Sequence, residues 1–436
     1  MRILLPTDSF PPGCGGGGLS AYHLAAGLAS RGHAVEVVKL VPGPGGIRET
    51  SFEGLPVTEF GYRRPRIPGL GAVWLNERFH PIFRRYIAQR LRARPVDLVH
   101  AQHILSILPA IPAARAAGVP VVGTIRDFWP VCFWDTSLSG DETCPGCSPG
   151  NLRLCTQRRK PALWPASRLF IPYMTRTLRR RRALLRLSDA VICVSTWVRD
   201  AVLGRAPEVE RSKVVCVPNF VDCDRLQDDG GGKPQGRVLE ETGLAGTPYL
   251  LYAGKLARNK GVVLMLRALA RSGVKLPLAV AARGEMEGEF RAEAARLGLD
   301  VRLLGWRTNA EVHDLLRGAT ALLFPSLWPE PLARTLLEAT AIGTPIVATA
   351  TGGTLDIVRD GETGLLASGE EAFAAAIARV AREPELRRRF FDLARRRARE
   401  QFDRPAVLVR VEAVYAAAIA RARGKRTETA AAARPE

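Results

Sequence analysis

Twice along this chain, short apolar runs of strand length alternate with longer helical patterns, and that alternation limits the fold more than any other feature. The first series opens on "RILLPTDSF", passes through the glycine-rich "PPGCGGGG" into a helix from Leu19 to Ser30, and returns as "HAVEVVKL". It continues through "VDLVHA", "VPVVGTI", "DAVICVS" and "KVVCVP". The second series runs "PYLLYAG", "LPLAVAA", "DVRLLG", "TALLFPS" and "TPIVATA". Strands separated by helices predict parallel, doubly wound sheets, because a parallel pair needs a long crossover. The polar, glycine-rich "QDDGGGKPQG" between the two series reads as a linker. The expectation is an α/β chain with two Rossmann-like domains, residues 1–224 and 247–403, joined by a linker over 225–246. A helix over 404–423 crosses back to the first half, and a disordered tail covers 424–436. Ligands of such folds bind outside the carboxyl ends of the strands, here in a cleft between two facing domains.

Within the second series, "SLWPEPLARTLLEATAIGTP" sets Glu330 before a proline and Glu338 inside a helix. The residue before proline is pushed out of the α region, while Pro331 suits a first helical turn. The N–H groups of Leu332, Ala333, Arg334 and Thr335 then form an anion site at a helix start. Glu338 shares a face with Arg334 and Thr335 and can meet hydroxyl groups. In "YAGKLARNKG", Lys255 and Lys260 follow a strand and suit a diphosphate leaving group. Together these residues describe a site for a nucleoside diphosphate. The "GCGGGG" turn lacks a clean GxGxxG spacing, so its place after the first strand is the informative part.

The chain has 436 residues, 47% of them hydrophobic and 24% charged, as in globular enzymes. No apolar run approaches about 18 residues, and no basic segment leads into a signal-type core. Both point to the cytoplasm. The net charge of +20 is concentrated: Thr143 to Ser188 holds eleven Lys and Arg residues and no acid. There, residues 163–187 read either as a basic amphipathic helix on an anionic membrane surface or as a packed helix with a solvated arginine face. No nucleic-acid-binding motif accompanies the charge, so nucleic acid is not an expected partner.

Four of the eight cysteines are scattered: Cys14, Cys193, Cys216 and Cys223. The others, Cys132, Cys144, Cys147 and Cys155, cluster in an irregular insertion over 128–160 that includes "CPGC". Four thiolates at this spacing suit a closed structural zinc site; an iron–sulfur cluster takes the same ligands, and free thiols are the third reading. No metal or other cofactor is expected to take part in catalysis.

The elements "GKLARNKG", "RLLGW", "FPSLWPEPLARTLLEATAIGTPIVAT" and "GGTLDIVRDGETGLL" resemble the retaining GT-B glycosyltransferases of family 4. In the first half the resemblance extends through the glycine loop, "TIRDFWPVC", "AVICVSTWVRD" and "VVCVPNFVD". It implies the GT-B fold and sugar transfer from a nucleoside diphosphate sugar with retention, to a lipid-linked or polysaccharide acceptor in glycolipid, cell-envelope or exopolysaccharide synthesis. It also implies that Glu338 holds the ribose hydroxyls and Glu330 the donor sugar. Lys255 and Lys260 would grip the diphosphate with the N–H groups around Ala333–Thr335. Gly15 and Gly16 would close over the donor, and Gly352 and Gly353 would line the nucleotide pocket. Three positions depart from the family pattern. Lys255 stands where Arg is common, Ala333-Arg334 where Gly-Leu is common, and Arg126-Asp127 where many members have His-Asp. Arginine cannot act as a base in a protein, so Arg126 is expected to stabilise charge and Asp127 to contact an acceptor hydroxyl. His100 and His103 lie nearby as lesser candidates, each more readily structural. The rival readings are a sugar-nucleotide epimerase or hydrolase on the same fold, and a basic surface-binding protein without turnover.

Overall fold

The computed structural model describes residues 1–63, 70–139, 142–159, 167–227 and 237–432. The chain divides into two units, the first made of 1–140, 144–218 and 407–436, the second mainly of 219–406. In the first unit the strands are β1 (Arg2–Thr7), β2 (Ala34–Pro42), β3 (Gly46–Phe52), β4 (Leu55–Tyr62), β5 (Leu98–Ala101) and β6 (Val121–Ile125). Then comes the two-residue strand β7 (Leu138–Ser139), followed by β9 (Ala190–Cys193) and β10 (Val214–Cys216), while the two-residue strand β8 (Glu142–Thr143) falls in the short stretch counted with the second unit. The main sheet has the order β10-β9-β6-β5-β1-β2-β4-β3. Its pairs are parallel apart from the antiparallel β3–β4. β5, β6 and β9 are buried along their whole length, as expected of strands covered on both faces. The antiparallel β3–β4 edge was not legible in the sequence: "GIRETSF" is exposed almost throughout and carries no apolar alternation.

The second unit holds β11 (Leu250–Lys255), β12 (Leu278–Arg283), β13 (Val301–Leu303), β14 (Ala321–Phe324), β15 (Ile346–Thr349) and β16 (Leu365–Ala367). All its pairs are parallel, in the order β13-β12-β11-β14-β15-β16. Renumbered within the unit this is 3-2-1-4-5-6, the doubly wound order whose direction reverses between the first and fourth strands. The first unit reverses in the same way between β1 and β5. Those two switch points are where each unit's site is to be sought. The helix Val262–Ser272 shows how the layers lock. Val262, Met265, Leu266 and Leu269 recur at helical spacing and are buried against the sheet. Gly273, at φ 68, closes its C-terminus in the left-handed conformation.

Three boundaries differ from the sequence expectation. Short helices Cys223–Gln227 and Arg237–Glu241 occupy both flanks of the expected linker, whose centre, 228–236, lies outside the described residues. The helix from Ser326–Pro345 starts at Arg334 with Ala333 as its N-cap, so Pro331 and Leu332 precede it. The last helix runs Arg404–Ala432 rather than ending near 423, since alanine, lysine, arginine and glutamate in that stretch are strong helix formers. From Val407 it belongs to the first unit. Its Tyr415 hydroxyl is 2.6 Å from His100 Nδ1, its Glu412 pairs with Arg31 at 2.7 Å, and its Arg421 donates to Asp189 O at 3.1 Å. Among the described residues no helix is long and apolar enough to cross a membrane.

The basic helix Ser167–Leu185 buries Met174, Thr177, Leu178, Arg181 and Leu185 along one face. Arg181 is itself inside, donating to Trp129 O at 3.1 Å and Cys132 O at 3.3 Å and pairing with Asp135 at 3.2 Å. Arg182 donates to Pro130 O at 3.1 Å. Part of the arginine run therefore serves as carbonyl caps for the loop after β6. Lys160 and residues 163–166 lie outside the described residues.

Candidate functional site

At the switch point of the second unit, β11 ends on Lys255 and the chain turns through Arg258–Lys260 into the next helix. The loop after β14, Ser326–Pro331, is stitched onto that turn. Asn259 O accepts from Leu327 N at 3.1 Å and from Trp328 N at 3.0 Å. Gly261 sits at φ 67 and so close to Pro325 that an added Cβ would lie 1.9 Å from Pro325 O. This contact aims Lys260: its ammonium donates to Glu330 Oε1 and lies 4.7 Å from the centroid of the Trp328 ring. Ser326 Oγ donates to the same carboxylate oxygen at 3.1 Å. Glu330 is 7% exposed and shares its environment with a full positive charge. On its other side, Gly353 N donates to Glu330 O at 2.7 Å. A Cβ on Gly352 would stand 2.5 Å from Glu330 O. The expected contributions of Gly352 and Gly353 are therefore backbone ones: they let two loops touch.

Glu338 is buried one helical turn beyond Arg334. Arg334 Nε lies 2.9 Å from Glu338 Oε1, and His313 Nε2 lies 3.6 Å from Oε2. Arg334 Nε makes no formal hydrogen bond to the carboxylate, so that contact is electrostatic, and His313 Nε2 stands beyond hydrogen-bonding distance. Lys255 does not join this group. It is exposed and pairs with Glu285 at 3.1 Å. Thr335 follows Arg334 in the first helical turn, and Ala333 caps it through its backbone. Ser326, Trp328 and His313 were missed by the sequence reading. Ser326 and Trp328 lie inside the quoted motif, whereas nothing local marks His313 as a neighbour of Glu338.

The first unit gathers a second polar group where β1, β5 and β6 end. His103 Nδ1 is 3.1 Å from Thr7 Oγ1, and its Nε2 lies 3.0 Å from where a Cβ on Gly17 would stand. Gly15 and Gly16 flank the start of the helix Gly16–Ser30, with Gly15 as its N-cap. Arg126 Nη2 donates to Gln102 Oε1 at 2.7 Å, while Gln102 Nε2 is buried without a partner among the described residues. Asp127 accepts from Trp129 N at 2.8 Å. Asp8 accepts from Leu105 N at 2.9 Å and from the Ser106 hydroxyl. Asp8 and Gln102 also went unnoticed in the sequence, although each directly follows a strand. His100 is fully buried between Tyr415 and Thr124 Oγ1, a packed structural histidine.

Burial dominates the titration of this group. It raises Asp127 to about 8, helped by the nearby Asp135 charge, and raises Asp8 to about 6. It lowers His100 and His103 to about 3, so both imidazoles are neutral. A carboxyl that stays protonated near neutrality can donate a hydrogen bond. The sign follows from linkage. Between the ordinary carboxylate value of 3.8 and about 8, folded Asp127 holds a proton that the unfolded chain has lost. Its contribution to stability is complete at low pH and is lost as pH rises through that window. Asp127→Asn should therefore show a smaller fall in melting temperature between about pH 5 and about pH 8.5 than the parent. Equal falls in thermal scans of both proteins would contradict the assignment.

The four clustered cysteines are free thiols, and among the described residues no three His, Cys, Asp or Glu side chains are gathered into a metal-ligand group as they stand.

Residues 14–225 match the family model described as Glycosyltransferase Family 4, and residues 239–397 match Glycosyl transferases group 1. The chain is 30% identical over 256 residues to an alpha-maltose-1-phosphate synthase of Mycobacterium tuberculosis, covering 55% of this chain. It spans 65% of that relative's length, less than two thirds. A glycogen synthase of the same organism is 27% identical over 441 residues, covering 96% of this chain and 95% of that protein. Among solved structures, Anabaena Alr3699/HepE in complex with UDP matches with a TM-score of 0.69 at 19% identity, over 95% of this chain and 100% of that one.

Proposed function

This chain belongs to the family 4 glycosyltransferases, with the GT-B fold, and on that premise we propose that it moves a sugar from a nucleoside diphosphate sugar to an acceptor hydroxyl with retention of configuration. The observation that carries the reading is the Lys260–Glu330–Ser326 cluster at the switch point, beside a helix start and a buried Glu338. As the bond from sugar to diphosphate breaks, negative charge builds on the leaving group, and Lys260 is placed to stabilise it. The first N–H groups of the helix from Arg334 supply further donors, and Arg334 adds a guanidinium. Glu338 accepts from the ribose hydroxyls, while Glu330 orients the donor sugar. Lys255, exposed at the strand end, contributes a more distant charge. In the first unit the turn of Gly15 and Gly16 offers its backbone to the donor. Asp127, protonated near neutrality, donates to an acceptor oxygen, and Arg126 offsets charge there.

The acceptor in this reading is a lipid-linked or polysaccharide precursor. Exposed Leu169 and Phe170 stand on the same helix as exposed Arg176 and Arg179, which suits an anionic membrane surface.

Calorimetric titration with UDP-, GDP- and ADP-sugars tests the donor half of the proposal. One nucleotide sugar should bind, and Glu338→Ala should weaken it by at least about tenfold, since a carboxylate hydrogen bond is worth about 1.5–3 kcal/mol. Absence of binding to every donor, or an unchanged affinity in the variant, counts against the site. Release of nucleotide at the same rate with and without acceptor would instead indicate hydrolysis.

A further inference from the structure

One imidazole of the first unit is fixed in orientation and left with an unused lone pair. His103 is the N-cap of the helix Ile104–Ala116. Asp8 fixes the start of that helix by accepting from Leu105 N at 2.9 Å and from the Ser106 hydroxyl. The ring itself is tied at one nitrogen: Nδ1 lies 3.1 Å from Thr7 Oγ1. Thr7 has a single hydroxyl proton, and it goes to Ser9 O at 2.8 Å. Thr7 Oγ1 is therefore the acceptor in its contact with the ring, and Nδ1 carries the imidazole proton. Burial and the Arg126 charge keep the ring neutral. In a neutral ring protonated at Nδ1, Nε2 has a lone pair and no proton. That nitrogen has no partner among the described residues.

What faces the lone pair is a space. A Cβ added to Gly17 would lie 3.0 Å from His103 Nε2, and beyond its own helix only that ring comes within 4 Å of the spot. Gly17 stands exposed in the first turn of the helix Gly16–Ser30, and the His103 ring is half-buried, so the space opens to solvent. Neither usual reason for a glycine applies. The φ of Gly17 is not in the left-handed region, unlike that of Gly13 at 78. Packing does not demand it either, as it does at Gly18, where a Cβ would stand 2.6 Å from Cys14 Cβ. A helical glycine is destabilising relative to alanine. What the missing side chain does here is leave the approach to Nε2 clear.

A separation of 3.0 Å is that of a hydrogen bond, so an O–H in this position donates to Nε2. The first N–H groups of the helix Gly16–Ser30 have no partner within the helix, and its first turn holds no acidic residue. Donors and an acceptor thus lie on the same turn. A hydroxyl suits both, since it gives its proton to Nε2 and takes an N–H on its oxygen. An ionised phosphate oxygen has no proton to give and would set its lone pairs against that of Nε2. An imidazole that stays neutral down to about pH 3 is also too weak a base to take a proton in the reaction. Its part is recognition.

We propose that His103 is a specificity-determining residue: Nε2 accepts from one hydroxyl of a bound sugar that fills the space beside Gly17. The inference rests on the reading of the chain as a sugar transferase, and the hydroxyl belongs to the donor sugar or to the acceptor.

The test uses the full-length chain with its histidines labelled with nitrogen-15, and His103→Phe assigns the two ring signals. At neutral pH, Nδ1 should be protonated and Nε2 bare. The protein is then titrated with UDP, GDP and ADP, with UDP-glucose, GDP-mannose and ADP-glucose, and with glucose and mannose in the presence of each nucleotide. A shift of Nε2 with a nucleotide sugar but not with its bare nucleotide places the hydroxyl on the donor; a shift only on adding a free sugar places it on the acceptor. Deoxy analogues of the responding sugar locate the hydroxyl. One of them should bind the parent at least about tenfold more weakly, because the site is left unpaired. His103→Phe should reduce that penalty to about twofold or less, and His103→Gln, whose amide oxygen can stand in for Nε2, should restore part of it. Gly17→Ala should weaken the same sugar at least about tenfold with an unchanged or raised melting temperature, and it decides alone if His103→Phe fails to fold. Nucleotide-sugar binding that depends on Glu338, with no change at Nε2 from any sugar, would overturn this proposal and leave the transferase reading standing. A sugar-dependent shift of Nε2 without binding of any nucleotide sugar would do the reverse. Silence toward every ligand overturns both. A protonated Nε2, or a deoxy penalty kept in full by His103→Phe, would overturn the assignment of His103.

Discussion

Lys260→Met should lower the turnover number for sugar transfer by about 10²–10³-fold, the usual cost of removing one preorganised donor from developing charge. The same change leaves Glu330 buried without its cation, so stability falls as well. Breaking a buried pair costs about 3–5 kcal/mol, and the figure here lies toward the lower end because Lys260 keeps 22% side-chain exposure. The two effects separate in a second variant. Adding Glu330→Gln removes the orphaned charge while keeping an acceptor for Ser326 Oγ, so most of the stability returns. Activity does not return, because the ammonium is still missing. Thermal scans and initial rates on the parent, both single variants and the double variant measure this. Recovery of rate together with stability would show that Lys260 serves only the fold.

Gly261→Ala should be the most damaging of the small substitutions. At φ 67 an alanine pays a backbone penalty of about 1–2 kcal/mol. Its Cβ would also fall 1.9 Å from Pro325 O, which is backbone and cannot swing aside. The turn carrying Lys260 must then separate from the loop carrying Ser326 and Glu330. We expect a loss of at least about 2 kcal/mol in the stability of the second unit, with donor affinity down at least tenfold. Gly288→Ala is the control of opposite sign. It lies exposed in the helix Glu287–Arg296 with nothing within 4 Å of its added Cβ, so it should gain up to about 1 kcal/mol. Chemical denaturation of both variants, followed by donor titration, checks the pair. Equal stability of the two would mean the contact at Pro325 is not tight in solution.

The parts of this fold that were legible in sequence are those dictated by burial. Runs such as "LLYAG" and "ALLF" read as strands covered on both faces because longer helical patterns alternate with them, whereas their order in the sheet required the folded chain. The β3–β4 edge was hidden because an exposed strand needs no apolar pattern. Glu330, Lys260 and Glu338 could be named from spacing, since each follows a strand or sits in a helix whose limits are marked. The helix start was misplaced by three residues because Pro331 alone is a sound N1 signal. The pull of Gly353 N on Glu330 O, which holds that segment extended, comes from a loop more than twenty positions away. For the same reason His313 beside Glu338, and Lys255 turned to Glu285, required the folded chain.

The last helix carries a consequence for synthesis. Residues 219–406 form a nearly continuous stretch, so the second unit is complete before translation ends. The first unit is not: His100 receives the Tyr415 hydroxyl, 315 positions downstream, and Arg31 waits for Glu412. Although domains generally fold in the order in which they emerge from the ribosome, here the half born first must be finished last. Until the final turns are released, β5 and the buried imidazole behind it stand open to chaperones and proteases.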